Sequence, residues 1–489
     1  MIDIRTRFAP SPTGYMHIGN LRTGLYAYLL ARKNKGIFIL RIEDTDQERY
    51  VEGAVEVIFN VLKMTGLRHD EGPDVGGAYG PYVQSERREI YHEYAKKLIE
   101  LGGAYYCFCP KELITQAREK HDMVKDGSFK YDDPCRNLTN EEAKIRIANG
   151  ESYVIRQKIP QSGTTTFDDA VYGSITVENN SLDENVLLKS DGLPTYNFAN
   201  VIDDHLMKIS HVMRGVEYLS SAPKYNLLYQ AFGWEIPIYI HLPHIIKEGG
   251  KKLSKREGDA AFEDFCRKGY LIEALINYIA LLGWNPGTQQ EIFSLKELEE
   301  EFDIEGISKS SATFDIKKLN WMNGEYIRKM TLEEFHNMAI PYCREIIKND
   351  KIQLEKVTKL LQARTDVFNE IPETIDFFEC LPDYDINLYI HKKMKTDVKN
   401  SLENLKIAYD ALKCMENWNE ENLNFTLKEL VEKMGIKNGM MLWPVRTALS
   451  GKQVTPGGAI EIADILGREE SLRRIKIGIE KLSISTVLP

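Results

Sequence analysis

Four consecutive residues, Ile37-Phe38-Ile39-Leu40, are apolar without alternation, and runs of helical spacing flank them on both sides. A strand with one face in water alternates apolar and polar residues. A strand that is apolar throughout is covered by helices on both faces, as in a parallel sheet. On the N-terminal side, Leu21, Leu25, Tyr28 and Leu29 give a helical run from Leu21 to Lys33, which Gly36 ends. On the C-terminal side, Glu52 to Lys63 is helical and stops near Gly66, while Asp3 to Phe8 reads as a first extended run. This strand–helix–strand–helix order over residues 1 to about 90 predicts a parallel sheet with right-handed crossovers. Its binding site should lie at the C-terminal ends of the strands.

The pattern then changes. Ser85 with Glu86 starts a helix in which Ile90, Tyr94 and Leu98 keep i, i+4, i+8 spacing. Thr139 and Glu142 have capping-box spacing, and Asn149-Gly150 closes that helix. Tyr153 to Ile159 and Thr165 to Val177 read as strands. The buried α/β pattern resumes only near Val201-Ile202 and Tyr239-Ile240, so the stretch between is expected to be an insertion. From Thr331 onward almost every signal is helical: Thr331 and Glu334 form a second capping box, and Leu354, Val357, Leu360 and Leu361 share one helix face. The fold class expected is therefore α/β, a parallel-sheet core with an α/β insertion, followed by an all-α region.

Composition narrows the function. The chain has 489 residues, 43% apolar and 28% charged, which excludes a disordered chain, a collagen-like fibre and a small disulfide scaffold. Seven cysteines, an odd number, point to a reducing compartment. The N-terminus shows no apolar signal segment, and the most apolar stretch, Leu271 to Trp284, is interrupted by Glu273 and Asn277. It falls short of the roughly 20 residues a membrane span needs, so a cytoplasmic protein without a membrane partner is expected. With 63 basic and 73 acidic side chains the net charge is −10, which taken alone argues against nucleic acid. The distribution is uneven, however. Lys247 to Glu257 carries five basic and two acidic residues, and Lys437 to Pro489 carries eight and five.

Two constellations carry chemistry. The first is Arg7-Phe8-Ala9-Pro10-Ser11-Pro12-Thr13-Gly14-Tyr15-Met16-His17-Ile18-Gly19-Asn20, a strand ending in a Pro- and Gly-rich loop with a helix starting within a turn of His17. Such a corner aims backbone N–H groups and a positive dipole end at an anion, a phosphate for example. His17 could donate to phosphate oxygens, and Gly19 would let a flat base or ribose approach. The second is Lys251-Lys252-Leu253-Ser254-Lys255-Arg256 after Gly249-Gly250, where two lysines spaced i, i+3 can reach one polyphosphate. Alone, each also fits a plain surface corner or a solvated basic loop. A third group, Cys107-x-Cys109 and Cys135, has spacing compatible with half of a tetrahedral zinc site or with three reduced thiols at a loop crossing.

Taken in order, His17-Ile18-Gly19-Asn20 and Lys252-Leu253-Ser254-Lys255-Arg256 resemble the HIGH and KMSKS signatures of class I aminoacyl-tRNA synthetases. Asn20 replaces the motif's last His, and Leu253 its Met. Further runs are similar to the bacterial glutamyl-tRNA synthetases: Arg41-Ile42-Glu43-Asp44-Thr45-Asp46, Tyr82-Val83-Gln84-Ser85-Glu86-Arg87, Ser190 to Asn200, Val201 to His205, and Arg214-Gly215-Val216-Glu217-Tyr218-Leu219. The likeness is dense from residue 3 to about 260 and thinner to the end, through Trp443 to Gly451.

The resemblance implies ATP-dependent activation of L-glutamate to the adenylate and transfer to the 3′-terminal adenosine of tRNA(Glu), with Mg²⁺ on the phosphates. His17, Lys252 and Lys255 would be catalytic, and His17, Gly19, Asn20, Lys252, Ser254 and Lys255 would hold ATP. Arg7, Ala9, Ser11, Glu43, Tyr196, Asn200 and Arg214 would hold glutamate. Four regions are implied: a Rossmann-like catalytic domain (1–90 and 195–249), an inserted acceptor-end domain (91–194), a KMSKS-loop and stem-contact domain (250–330) and a helical anticodon-binding region (331–489), where Arg364 and Arg446 are candidate contacts. Relatives close a structural zinc site with a Cys-x-His, but here Asn137 stands at the last position. Tyr131 is the donor related synthetases offer instead, with His121 a further candidate. A monomer without DNA as partner is expected. A β-barrel anticodon region, as in glutaminyl-tRNA synthetases, does not match the helical end. The alternatives retained are a non-discriminating enzyme that also charges tRNA(Gln), and an inactive tRNA-binding paralogue.

Overall fold

The computed structural model describes residues 4–110, 112–113, 133–251 and 261–487. The chain divides into two compact units, one of Met1–Arg267 with Ile272–Ile316 and one of Lys268–Leu271 with Lys317–Pro489.

In the first unit β1 (Arg5–Phe8), α1 (Ile18–Lys33), β2 (Ile37–Leu40) and α2 (Ala54–Thr65) follow in the expected order. β1 and β2 pair in parallel, Arg5 opposite Ile37 and Phe8 opposite Leu40. α1 starts three residues before its apolar spacing does, because His17 caps it. Leu21, Leu25, Tyr26 and Leu29 of α1 are buried, each contributing about 2 kcal/mol. Gly36 is required at the entry to β2, since a Cβ there would meet the carbonyl oxygen of Ile4 at 2.2 Å.

The chain continues through α3 (Arg88–Glu100), β3 (Ala104–Cys107), α4 (Asn140–Ala148), β4 (Val154–Gln157), β5 (Thr164–Asp169), β6 (Gly173–Glu178) and β7 (Val186–Leu188). Next come α5 (Tyr196–Leu206), β8 (His211–Gly215), α6 (Ala222–Phe232) and β9 (Ile238–Leu242). Val201 and Ile202 thus belong to a buried helix. β8 and β9 pair in parallel, and Ser210 ties β8 to β1: its N–H donates to the Arg5 carbonyl at 3.0 Å and its Oγ accepts from the Arg5 N–H at 2.8 Å.

The segment Thr165 to Val177 is a hairpin, not one strand. Asp169 Oδ1 accepts from the N–H groups of Val171 (2.9 Å) and Tyr172 (2.8 Å), and Gly173 takes φ +81°, which turns the chain back. β3, β4 and β7 form their own antiparallel sheet. The β5–β6 hairpin instead joins β9, through Asp169 opposite Tyr239. Part of the stretch read as an insertion therefore extends the sheet that holds β8.

Beside this sheet lies a buried set of charges. Asp204 of α5 accepts from Arg7 at 3.0 and 3.2 Å and from Arg41 at 2.8 Å. Its neighbour Asp203 accepts from Arg87 (2.7 Å), Gln84 (2.8 Å) and the Tyr91 hydroxyl (2.8 Å). Arg41 also holds Glu43 at 2.9 Å.

All regular elements of the second unit are helical, with capping boxes at Thr331 and Asp397. Leu354, Val357 and Leu361 are buried on one face of their helix, as their spacing predicts. The last helix, Ala459–Val487, breaks at Gly467, where φ is 76° and ψ is 170°. Buried Arg474 donates to the carbonyls of Phe377 (2.6 Å) and Leu449 (2.8 Å), fixing three helices together. No described helix is long and apolar enough to cross a membrane.

Asp203→Ala removes the partner of a buried guanidinium and should destabilise the first unit by about 3–5 kcal/mol. A denaturant titration followed by near-UV circular dichroism reads this as a lowered midpoint; an unchanged midpoint would contradict the network.

Candidate active site

The C-terminal ends of β1 and β8 open into a cavity of about 600 Å³, lined among others by Arg7, Ala9, Ser11, His17, Gly19 and Asn20. Glu43, Tyr196 and Arg214 complete the expected set on its wall. The volume suits a small-molecule ligand. One residue expected there does not line it. Asn200 is buried behind the wall, its amide donating to the Tyr196 carbonyl at 2.5 Å. Lys252, Ser254 and Lys255 lie outside the described residues.

At one side of the cavity the chain leaves β1 through the irregular Pro- and Gly-rich loop and enters α1 at His17. His17 is the N-cap, and its Nδ1 accepts from the Gly19 N–H at 2.9 Å. That bond fixes the tautomer: in the neutral ring the proton sits on Nε2, a donor. Gly19 cannot be larger without pressing on the cap, because a Cβ would stand 3.0 Å from His17 Nδ1. The first turn of α1 carries no acidic residue, so its positive end is not neutralised from within the helix. Arg22, one turn further and also on the cavity wall, donates to the carbonyls of Leu282 (3.0 Å) and Pro243.

The other side is dominated by arginines in different states. Arg7 is paired with Asp204 and also donates to the Met213 carbonyl at 2.8 Å. Burial pushes the Asp204 carboxyl up, but Arg7 and Arg41 outweigh it and hold the group below its ordinary value. For Glu43 burial prevails over Arg41 and Arg7, and its carboxyl is raised.

Arg214 of β8 has no carboxylate partner among the described residues. Its Nε donates to His241 Nε2 at 3.0 Å, and its guanidinium lies 4.5 Å from the Tyr225 ring centre and 5.1 Å from that of Tyr239. The residue is 4% exposed, and its Nη2 is buried without a hydrogen-bond partner. Arg7, Arg41 and Arg87 thus share the carboxylates Glu43, Asp203 and Asp204, whereas Arg214, like Arg22, is left without one among the described residues. A buried cation with an unsatisfied donor calls for an anionic ligand. The sequence reading missed Arg22, His244 and the His241 contact; Glu217, within a run noted for resemblance only, also lines the wall.

A second cluster stands apart from the cavity. Cys107 at the end of β3, Cys109, Asp133 and Cys135 present ligand atoms all within 4.8 Å of one another. The Cys109 and Cys135 sulfurs are 3.7 Å apart, close to the edge of roughly 3.8 Å that a tetrahedron with Zn–S of about 2.3 Å would have. The fourth described donor is therefore a carboxylate, which the spacing of cysteines did not reveal; Tyr131 and His121 lie outside the described residues. Asp133 is steered by the Cys135 N–H (2.8 Å) and by Arg156 (3.3 Å).

Within the helical unit, Arg446 donates to the Thr455 hydroxyl (3.3 Å) and the Gln453 carbonyl (2.7 Å), and stacks 4.2 Å from the Trp443 ring. Arg364 donates to the Thr455 carbonyl at 2.9 Å. No described carboxylate pairs with either. Burial, then the nearby charge of Arg364, lowers the Arg446 pKa.

Residues 3–321 match the family of class I tRNA synthetases (E and Q), catalytic domain, and residues 334–479 match an anticodon binding domain. A glutamate–tRNA ligase of Clostridium botulinum (strain Hall) is 61% identical over 479 residues, covering 98% of each chain. That of Clostridium tetani is 60% identical with the same coverage. The crystal structure of a glutamate tRNA ligase from Elizabethkingia meningosepticum, in complex with its amino acid, superposes with a TM-score of 0.86 at 36% identity, covering 98% of this chain and 100% of that one. The anion-seeking cavity at the strand ends, the capped His17 corner and the separate helical unit agree with these matches: the chain belongs to the class I tRNA synthetases of the E and Q type.

Proposed function

We propose that this chain is a glutamate–tRNA ligase, which activates L-glutamate with ATP and esterifies the 3′-terminal adenosine of tRNA(Glu). The observation that carries the substrate is Arg214, buried, unpaired by any described carboxylate, and with Nη2 unsatisfied at the cavity wall. The side-chain carboxylate of glutamate answers both deficits. Glutamine brings no charge and leaves the surplus uncompensated, which is the kind of loss that discriminates strongly without editing.

Activation requires the substrate α-carboxylate to attack the α-phosphorus of ATP, forming the C–O–P anhydride as the bond to pyrophosphate breaks. The protein's part is positioning and charge stabilisation. His17 Nε2–H and the open end of α1 donate to phosphate oxygens, Gly19 and Asn20 flank the nucleotide, and Lys252, Ser254 and Lys255 hold the leaving phosphates. Mg²⁺, when bound with ATP, neutralises phosphate charge. Arg7, Ala9, Ser11, Glu43 and Tyr196 orient the amino acid, with Glu43 toward its ammonium; Asn200 acts through Tyr196. The ribose hydroxyl of tRNA then attacks the acyl carbon and AMP leaves.

Segment 91–194 receives the acceptor end, 250–330 the stem and 331–489 the anticodon. There Arg364 and Arg446, two cations without described counter-charges, suit an RNA strand. Cys107, Cys109, Cys135 and a fourth donor, Asp133 or Tyr131, would hold one structural zinc.

Arg214→Ala should raise the glutamate KM or lower kcat by about tenfold or more. Unchanged kcat/KM for glutamate in pyrophosphate exchange would count against the pocket. Lys255→Ala should abolish adenylate formation with the circular dichroism spectrum intact; near-normal exchange in the folded variant would remove Lys255 from the mechanism. Elemental analysis of purified protein should give about one zinc per chain, and a value far below that would dismiss the zinc reading.

A further inference from the structure

We infer that Asp169 and His241 act together as a positioning pair that fixes Arg214 and thereby sets the affinity for glutamate and its preference over glutamine. The inference rests on the proposed reading of Arg214 as the partner of the substrate side-chain carboxylate.

The pair comes from two elements that meet once. β5 joins β9 only through Asp169 opposite Tyr239, two residues before His241. Both side chains are fully buried. Asp169 is saturated with donors: Val171 and Tyr172 N–H groups reach Oδ1, while His241 Nδ1 (2.6 Å) and the His241 N–H (3.1 Å) reach Oδ2. A carboxylate held by three backbone donors stays ionised, so the imidazole contact must be Nδ1–H donating to it. The lone pair is then on Nε2, where the Arg214 Nε–H donates at 3.0 Å. Three groups in series, each with one role available, leave the guanidinium a single orientation. The rings of Tyr225 and Tyr239 hold its plane.

The choice of imidazole has a consequence. A carboxylate directly behind Arg214 would orient it equally well, yet would also neutralise it and weaken its demand for a substrate anion. A neutral histidine gives direction without cancelling charge. The charged groups facing His241 are Asp169 from β5, Arg214 from β8 and Glu217 from the turn after β8, with the Tyr239 ring 6.0 Å away on its own strand. Burial is the main influence and lowers the His241 pKa, in keeping with its role as an acceptor. A protonated ring would set N–H against N–H at Arg214.

Pyrophosphate-exchange kinetics on the full-length enzyme test this. His241→Asn keeps an amide near Nδ1 for Asp169 and has no atom at the Nε2 place; His241→Gln puts an amide acceptor there. The asparagine variant should raise the glutamate KM about tenfold, with the ATP KM unmoved and the inhibition constant for glutamine unchanged, so that preference falls by the same factor. His241→Gln should recover most of that loss. Equal glutamate KM in wild type and His241→Asn, or a parallel rise in the ATP KM, would overturn the inference. Should the asparagine variant not fold, His241→Gln decides alone: a glutamate KM as high as that of Arg214→Ala overturns the pairing, and one near wild type supports it. If Arg214→Ala itself leaves the glutamate KM unchanged, the pocket reading fails first; if only the His241 variants are silent, the pocket stands and the pair does not.

Discussion

Burying a charge without an answering charge costs several kcal/mol, and in this chain that penalty organises the catalytic unit around α5. Adjacent residues Asp203 and Asp204 project from one helix into two different sets of donors. Asp203 collects Gln84 and Arg87 from the segment entering α3 and Tyr91 from α3 itself, while Asp204 collects Arg7 from β1 and Arg41 from the end of β2. Two strands, the entry to the inserted segment and α5 are therefore locked to each other by bonds that cannot be broken singly. The Pro- and Gly-rich loop between β1 and α1 is held to neighbouring segments by its own backbone: its Pro10, Pro12 and Met16 carbonyls accept from the N–H groups of Glu43 (3.1 Å), Val51 (3.1 Å) and Phe262 (2.9 Å).

The same bookkeeping exposes the functional group. Every buried arginine in that lock has a carboxylate, and Arg214 has only an imidazole and aromatic rings. Stability alone does not explain a cation left in this state, because an apolar residue of similar volume would cost less. A substrate that supplies the missing charge does explain it. Arg7 is answered by Asp204 and Arg214 by no described carboxylate, so in the proposed pocket the substrate's side-chain charge would fall to Arg214.

Local rules made much of this legible. The apolar run at Ile37–Leu40, the capping boxes at Thr139 and Thr331 and the face Leu354, Val357, Leu361 are properties of neighbouring residues, and each appears where its spacing put it. The His17 corner was legible for the same reason. What escaped the sequence depends on distant partners. Asp169 looked like one more residue of a strand; its turn-forming bonds and its contact with His241, 72 positions away, exist only once β5 lies against β9. Asp133 was hidden by the expectation of a tyrosine or histidine as fourth ligand, and only folding brings its carboxylate to the three thiols. Asn200 was drawn into the pocket by its motif, whereas one helical turn of α5 sets it behind Tyr196.

Net charge is the property that misleads most. A total of −10 suits neither ATP nor RNA, yet the potential felt by a ligand is set within about a Debye length, roughly 8–10 Å. The cavity wall carries four guanidiniums (Arg7, Arg22, Arg49, Arg214) against three carboxylates (Glu43, Asp46, Glu217), and around Arg446 the count is two guanidiniums against none described. Acidic residues elsewhere do not cancel these surpluses, since solvent screens them. They do discourage indiscriminate contact with polyanions, so that an RNA strand gains most where its phosphates meet a local positive surplus. An acidic protein with isolated, geometrically fixed positive sites is thus better suited to choosing one nucleic acid than a uniformly basic one.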